Sequence, residues 1–185
     1  MNFLPTPLAG CVMIEPKVFG DDRGFFIETF HRQKFAAAGI DLEFVQDNHS
    51  RSRKNVIRGL HYQFQHPQGK LVRAVNGEIF DVAVDLRADS PTKGRWFGTI
   101  LSETNRRQLY IPAGFAHGFC VTSDSADVVY KCTDLYHPED ERTILWNDPT
   151  LNISWPLIGT AIISAKDEQG KPFLEAELYA KSPHA

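Results

Sequence analysis

Residues 78–86 constrain the fold more than any other stretch of the chain. Phe80, Val82, Val84 and Leu86 alternate there with Ile79, Asp81, Ala83 and Asp85. Successive side chains of a strand leave on opposite faces, so a period of two predicts a strand with one face in a core. The other face is left mixed. Asn76-Gly77 stands immediately before this run. Both residues tolerate positive φ, so the pair reads as a tight hairpin turn fed by an apolar run at 71–75. Similar β-type runs fall at 25–30, 56–64, 96–102, 108–111, 118–122 and 128–133, with turn residues such as Gly20-Asp21-Asp22-Arg23-Gly24 between them. The spacing predicts one clear helix, at 31–38 and closed by Gly39, and a second short one from 167 onward. Many short strands at this spacing argue for an all-β antiparallel sandwich or barrel. A jelly roll accommodates about eight or more strands in one small domain. With 185 residues, the chain is long enough for one domain with a sizeable core and short for two. The expectation is therefore a single β jelly-roll domain over residues 1–185 with a few short peripheral helices.

The formal net charge of -3 gives no reason to expect nucleic acid or an anionic membrane as partner. An anionic ligand would have to be held by a local cluster of Lys and Arg. Cys11, Cys120 and Cys132 form no CxxC and no paired framework, which fits reduced thiols in a cytoplasm. Residues 1–10 show no basic start and no long apolar run, so no signal peptide is expected. The longest apolar stretches are far below the roughly 20 residues of a membrane helix.

Four segments carry residues capable of chemistry. In Arg58-Gly59-Leu60-His61-Tyr62-Gln63 a cation and a histidine lie three apart. On a regular strand they face opposite ways. They can share a site only if the strand is bulged, and Gly59 is a natural place for that. Alone, His61 would read as a packed core residue. The turn Pro112-Ala113-Gly114 leads to a second histidine, His117, at the start of another strand. Two strand histidines invite a metal, but the position two after His61 is Gln63, a poor ligand, so no metal is expected. Tyr130 lies in the run 128–134 and can donate a proton if its hydroxyl faces a cavity. Asp167 ends the run 162–167, and a buried carboxylate there needs a partner, for which a histidine is the natural choice. Arg23, Arg58, Lys70 and Lys166 each stand near one of these segments. Gathered in one cavity, they would bind a diphosphate.

Taken together, these segments resemble the dTDP-4-dehydrorhamnose 3,5-epimerases, a family similar in fold to the cupin jelly rolls. Nine stretches match in order, at 22–28, 46–50, 58–63, 69–73, 77–87, 111–119, 130–134, 144–149 and 164–167. They cover most of the chain. The resemblance implies a cofactor-free enzyme that inverts C3 and C5 of dTDP-4-dehydro-6-deoxy-D-glucose, on the way to dTDP-L-rhamnose. It implies His61 as base with Asp167 as its orienting partner, Tyr130 as acid on the other face of the sugar, and Lys70 near the C4 oxygen. Arg23, Glu28, Gln46, Asn48, Arg58, His117, Glu141 and Lys166 match positions that contact nucleotide or sugar, and Tyr136 one that stacks on thymine. It also implies a homodimer with an exchanged N-terminal strand, in which Arg23 and Glu28 serve the neighbouring subunit. Other readings of the same residues remain open: an epimerase of C3 only or C5 only, a ketoisomerase of a similar substrate, or a sugar-binding or metal-dependent cupin.

The chemistry explains the residue types. A C4 ketone acidifies the protons on C3 and C5, and their removal leaves an enolate whose charge grows on the C4 oxygen. A fixed cation stabilises that oxygen. An imidazole, with a reference pKa of about 6.5, charges and discharges most easily near neutrality. Inversion then needs a second acid across the ring. No hydride moves, in agreement with the absence of a glycine-rich dinucleotide fingerprint from the sequence.

Overall fold

The computed structural model of the chain describes residues 1–181 and 183. Its strands, in chain order, are β1 (Asn2–Pro5), β2 (Val12–Glu15), β3 (Val18–Asp21), β4 (Gly24–Ile27), β5 (Gln46–Arg53), β6 (Ile57–Gln63), β7 (Lys70–Asn76), β8 (Glu78–Asp85), β9 (Trp96–Ser102), β10 (Gln108–Ile111), β11 (Phe115–Val121), β12 (Ser125–Cys132) and β13 (Glu141–Thr143). Helix α1 (Arg32–Ala37) follows β4, and the single turn α2 (Ala165–Glu168) lies late in the chain. Six strands pair in the order β1-β2-β10-β7-β12-β5 and five in the order β13-β6-β11-β8-β9. Every ladder between these strands is antiparallel. The layout is the expected β jelly roll. Strands β3 and β4 form a separate two-stranded ribbon. Among the described residues no helix is long and apolar enough to cross a membrane.

Hydrophobic burial holds the two sheets face to face. Val72, Leu109, Ile111 and Val128 from the six-stranded sheet meet Ile79, Ala83, Phe115, Phe119 and Val121 from the other. A buried aliphatic or aromatic side chain of this kind contributes about 1.5–3 kcal/mol. The alternation in β8 has a different outcome from the simple half-buried strand. Its apolar face, Val82 and Val84, continued by Leu86, packs outward against Leu151, Phe173 and Tyr179 of the C-terminal segment. Its other face looks between the sheets and carries Asp81, which is fully buried. Both faces are thus covered, because the C-terminal chain lies over the outside of the five-stranded sheet.

The anticipated irregularity at Gly59 is present. His117 of β11 pairs with His61, and Phe119 pairs with Arg58. Three steps along β6 therefore match two along β11, which is a bulge of one residue. The glycine is required there for two reasons. Its φ is +127, and a Cβ on it would lie 2.5 Å from the Gly118 Cα. Backbone meets backbone with no room to adjust. Gly59→Ala should cost about 3 kcal/mol, read as a lower denaturant midpoint at unchanged m-value. A midpoint within error of the original would show that the close approach relaxes freely.

Candidate active site

One end of the space between the sheets stays open as a cleft of about 320 Å³. The bulge brings Arg58 and His61, both from β6, to it together. Arg58 donates from Nε to the Ser52 hydroxyl at 3.0 Å. From the facing sheet, β7 supplies Lys70, β12 supplies Tyr130, and β5 supplies Gln46, Asn48 and Ser50. The register that aligns them is continuous: Tyr130 lies opposite Asn48, and Cys132 lies opposite Gln46 and Lys70. Polar side chains at every second position of β5 thus share one face with the phenol.

His61 is held from behind. Its Nε2 lies 2.6 Å from Oδ1 of Asp167, a residue only 3% exposed. A carboxylate this close requires the proton on Nε2 and leaves Nδ1 as the nitrogen able to accept one. Ser164 fixes the carboxylate by capping α2, its hydroxyl accepting from the Asp167 amide at 3.1 Å. Burial opposes ionisation of Asp167, but the hydrogen bond and charge of His61, with hydrogen bonds from the Gly59 amide and from Ser164, together outweigh it, so the acid stays below its ordinary range. His117 has a similar companion, with Nε2 2.7 Å from Oδ1 of buried Asp81. The other Asp81 oxygen has no partner among the described residues.

Burial also sets the two groups opposite His61. It pushes the Tyr130 phenol up to about 12, so that hydroxyl holds its proton at neutral pH. It pulls Lys70 below its ordinary value, with Cys132, Glu141 and Asp81 acting the other way. Among the described residues Lys70 has no carboxylate within salt-bridge distance, unlike Lys166, which is ion-paired with Glu141. The rim is closed by Tyr136, whose hydroxyl donates to Glu141 Oε2 at 2.6 Å and whose amide donates to Gln46 Oε1 at 2.8 Å. The arrangement offers a proton acceptor on one wall, a proton donor on the other and a buried lysine on the donor's sheet.

A family model described as dTDP-4-dehydrorhamnose 3,5-epimerase matches residues 5–175. The chain belongs to that family. It is 57% identical over 169 residues to the dTDP-4-dehydrorhamnose 3,5-epimerase of Pseudomonas aeruginosa, covering 91% of this chain and 93% of the relative. It is 54% identical to that of Shigella flexneri, covering 97% and 99%. The crystal structure of dTDP-6-deoxy-D-glucose-3,5-epimerase from Legionella pneumophila, in complex with dTDP-4-keto-L-rhamnose, superposes with a TM-score of 0.94 at 52% identity, covering 96% and 97%.

Of the epimerase-family positions named from sequence, two lie apart from the cleft. Arg23 sits at the tip of the β3–β4 ribbon with its side chain 89% exposed, bound to Asp21 of the same turn. Glu28 pairs with Lys34 of α1. The other named positions line the cleft, apart from Asp167, which stands behind His61. Sequence reasoning passed over Asp81, Ser50 and Gln63. Asp81 announced itself only as a carboxylate inside an apolar alternation. The Ser50 hydroxyl lines the cleft, buried and without a partner among the described residues. Gln63, read only as a poor metal ligand, ties two rim loops together. Its amide donates to the His66 and Leu135 carbonyls and accepts from the His137 amide.

Proposed function

We propose that the protein inverts C3 and C5 of dTDP-4-dehydro-6-deoxy-D-glucose, giving dTDP-4-dehydro-L-rhamnose. The observation that carries this reading is that a carboxylate-backed imidazole and a protonated phenol stand on facing sheets of one cleft. A sugar ring lying between the sheets would meet His61 on one face and Tyr130 on the other. Nδ1 of His61 takes the proton from a carbon beside the ketone. Charge moves to the C4 oxygen, where the Lys70 ammonium stabilises it in a site largely shielded from water. Tyr130 returns a proton to the opposite face of the carbon, and the configuration inverts. The ketone is the only electron sink this sequence of steps uses, so it calls for no cofactor.

Family membership and the identities above support the substrate. Arg58, Lys166 and His117 would hold the diphosphate and sugar, with Gln46, Asn48 and Tyr136 toward the nucleotide and Glu141 beside His61 at the sugar. The whole chain acts as one domain, in the cytoplasm, where its three free, buried cysteines would remain reduced. It works as a homodimer in which the N-terminal strand is exchanged and the exposed ribbon carries Arg23 and Glu28 to the neighbouring subunit's cleft. Phe25 and Phe26, 59% and 67% exposed on that ribbon, support such a partner.

Incubation with dTDP-4-keto-6-deoxyglucose in D2O, followed by proton NMR, tests the reaction. The expected result is deuterium at both C3 and C5 with both centres inverted. Label at one carbon would reduce the activity to a single inversion. A moved carbonyl would make the protein a ketoisomerase, and an unchanged sugar would leave only binding.

A further inference from the structure

The two-inversion reading, on which this inference rests, creates a proton problem at His61. Each inversion leaves one proton on the imidazole and removes one from the Tyr130 phenol. Before the same bound sugar can be inverted at its second carbon, the imidazole must be neutral again and the phenol re-protonated. Asp167 cannot carry the proton away. It is buried at 3% exposure and already engaged with Nε2. The proton to be lost is the one on Nδ1.

Oε1 of Glu141 lies 3.9 Å from that nitrogen. This is beyond a hydrogen bond, but within reach of one water or a small side-chain rotation. The other oxygen, Oε2, accepts from the Tyr136 hydroxyl at 2.6 Å and from the Lys166 ammonium. Tyr136 is 46% exposed, and the Lys166 side chain is 57% exposed. Glu141 itself is only 11% exposed at its side chain. It therefore stands between the base and two groups in contact with solvent, and it is the nearest described carboxylate on the Nδ1 side of the ring. Burial opposes its ionisation, but hydrogen bonds from Lys166 and Tyr136 and the charges of His61 and Lys166 together outweigh it and hold the acid below its ordinary value, so it is ionised when the imidazolium forms and passes a proton on to water without keeping it.

We propose that Glu141 is the proton outlet that returns His61 to its neutral form between the two inversions. The Nδ1 proton passes from the imidazolium to the Glu141 carboxylate and from there to water at the Tyr136–Lys166 rim. Water in the cleft re-protonates the Tyr130 phenolate. One proton leaves the site and one enters, and no other bond changes. Glu141 acts through His61, so its signature is the relation between the two inversions and not the overall rate.

The test is a single-turnover reaction in D2O with enzyme in excess, quenched and read by NMR for singly and doubly inverted sugar. Glu141→Gln keeps an acceptor for Tyr136 and Lys166 but cannot take up a proton. The ratio of second-inversion to first-inversion rate should fall at least tenfold, and singly labelled, singly inverted sugar should accumulate. An unchanged ratio, whatever the overall rate, overturns the proposal. Glu141→Ala with added formate gives an independent arm. Formate should raise the second inversion more than the first, and equal stimulation or none counts against the outlet. Wild-type protein run alongside separates the two ideas, because label at only one carbon there sinks the two-inversion reading and the outlet with it.

Discussion

His61→Asn should abolish turnover while nucleotide still binds. Asparagine cannot accept a proton from carbon, yet it keeps a polar amide in the site; that amide stops short of Nε2, which lies 2.6 Å from Oδ1 of Asp167 in the native pair, and so serves the carboxylate through a bridging water. That choice matters energetically. Truncation to alanine would leave a buried carboxylate without its donor, at a cost of about 1–3 kcal/mol or more, and would confuse lost chemistry with lost structure. A positioned base is worth about 100- to 10,000-fold in rate, so kcat should fall by at least about 100-fold. Deuterium exchange should vanish at both C3 and C5, since one base serves both carbons. Binding of dTDP, measured by calorimetry, should stay within about threefold, because the phosphate-binding candidates Arg58 and Lys166 are untouched. Wild-type exchange at either carbon in this variant would remove His61 from its assigned role.

The fold was legible wherever burial imposes a period. The strands at 96–102 and 108–111 match β9 and β10 residue for residue, and the helix ending before Gly39 is there, with that glycine at positive φ. The β5 strand was missed for a physical reason. Gln46, Asn48 and Ser50 face a cleft and not a core, and Asp47, His49 and Arg51 face outward, so the strand has no apolar alternation to show. A strand built to line a polar site hides from a hydrophobicity reading because it is functional. The C-terminal segment was equally hidden. Leu151, Phe173 and Tyr179 cover β8 from a stretch with almost no regular structure, so their apolar residues follow no period.

For the site, sequence spacing supplied the Arg58–His61 relation once a bulge at Gly59 was allowed. It could not supply the pairing of His61 with Asp167, because the two are 106 positions apart and nothing local links them. Resemblance to a family brought those residues together before any geometry did. What the geometry adds is the placement of His61 and Tyr130 on different sheets, which turns a set of matched positions into a device with two faces. It also separates Lys70 from the other cations. Lys166 is neutralised by Glu141 and Arg23 by Asp21, and Arg58 is bonded to the Ser52 hydroxyl, whereas Lys70 is the buried one of the four, with no carboxylate within salt-bridge distance among the described residues.

That isolation makes the second large effect a double one. Lys70→Met should lower kcat by about 100- to 1,000-fold, the usual loss when one donor to a developing oxyanion is removed. The same change should leave the protein as stable at neutral pH, or more so. Burial holds the Lys70 pKa below its ordinary value, which means that the folded state disfavours the ammonium relative to the unfolded chain. Below the lowered pKa the folded protein carries that cost in full. As pH rises through the interval up to the ordinary lysine value, the unfolded chain binds more protons than the folded one, and stability grows. Methionine has a similar length and no charge, so it removes the cost at neutral pH and the pH-dependent gain above it. Thermal melts of the two proteins at pH 7 should show the variant equal or higher. Melts toward alkaline pH should bring the wild type closer to it, while wild-type activity declines as the ammonium deprotonates. A variant that keeps full activity would show that the C4 oxygen is stabilised elsewhere. A variant that loses both activity and several degrees of Tm would show that Lys70 holds the sheets together and not the enolate.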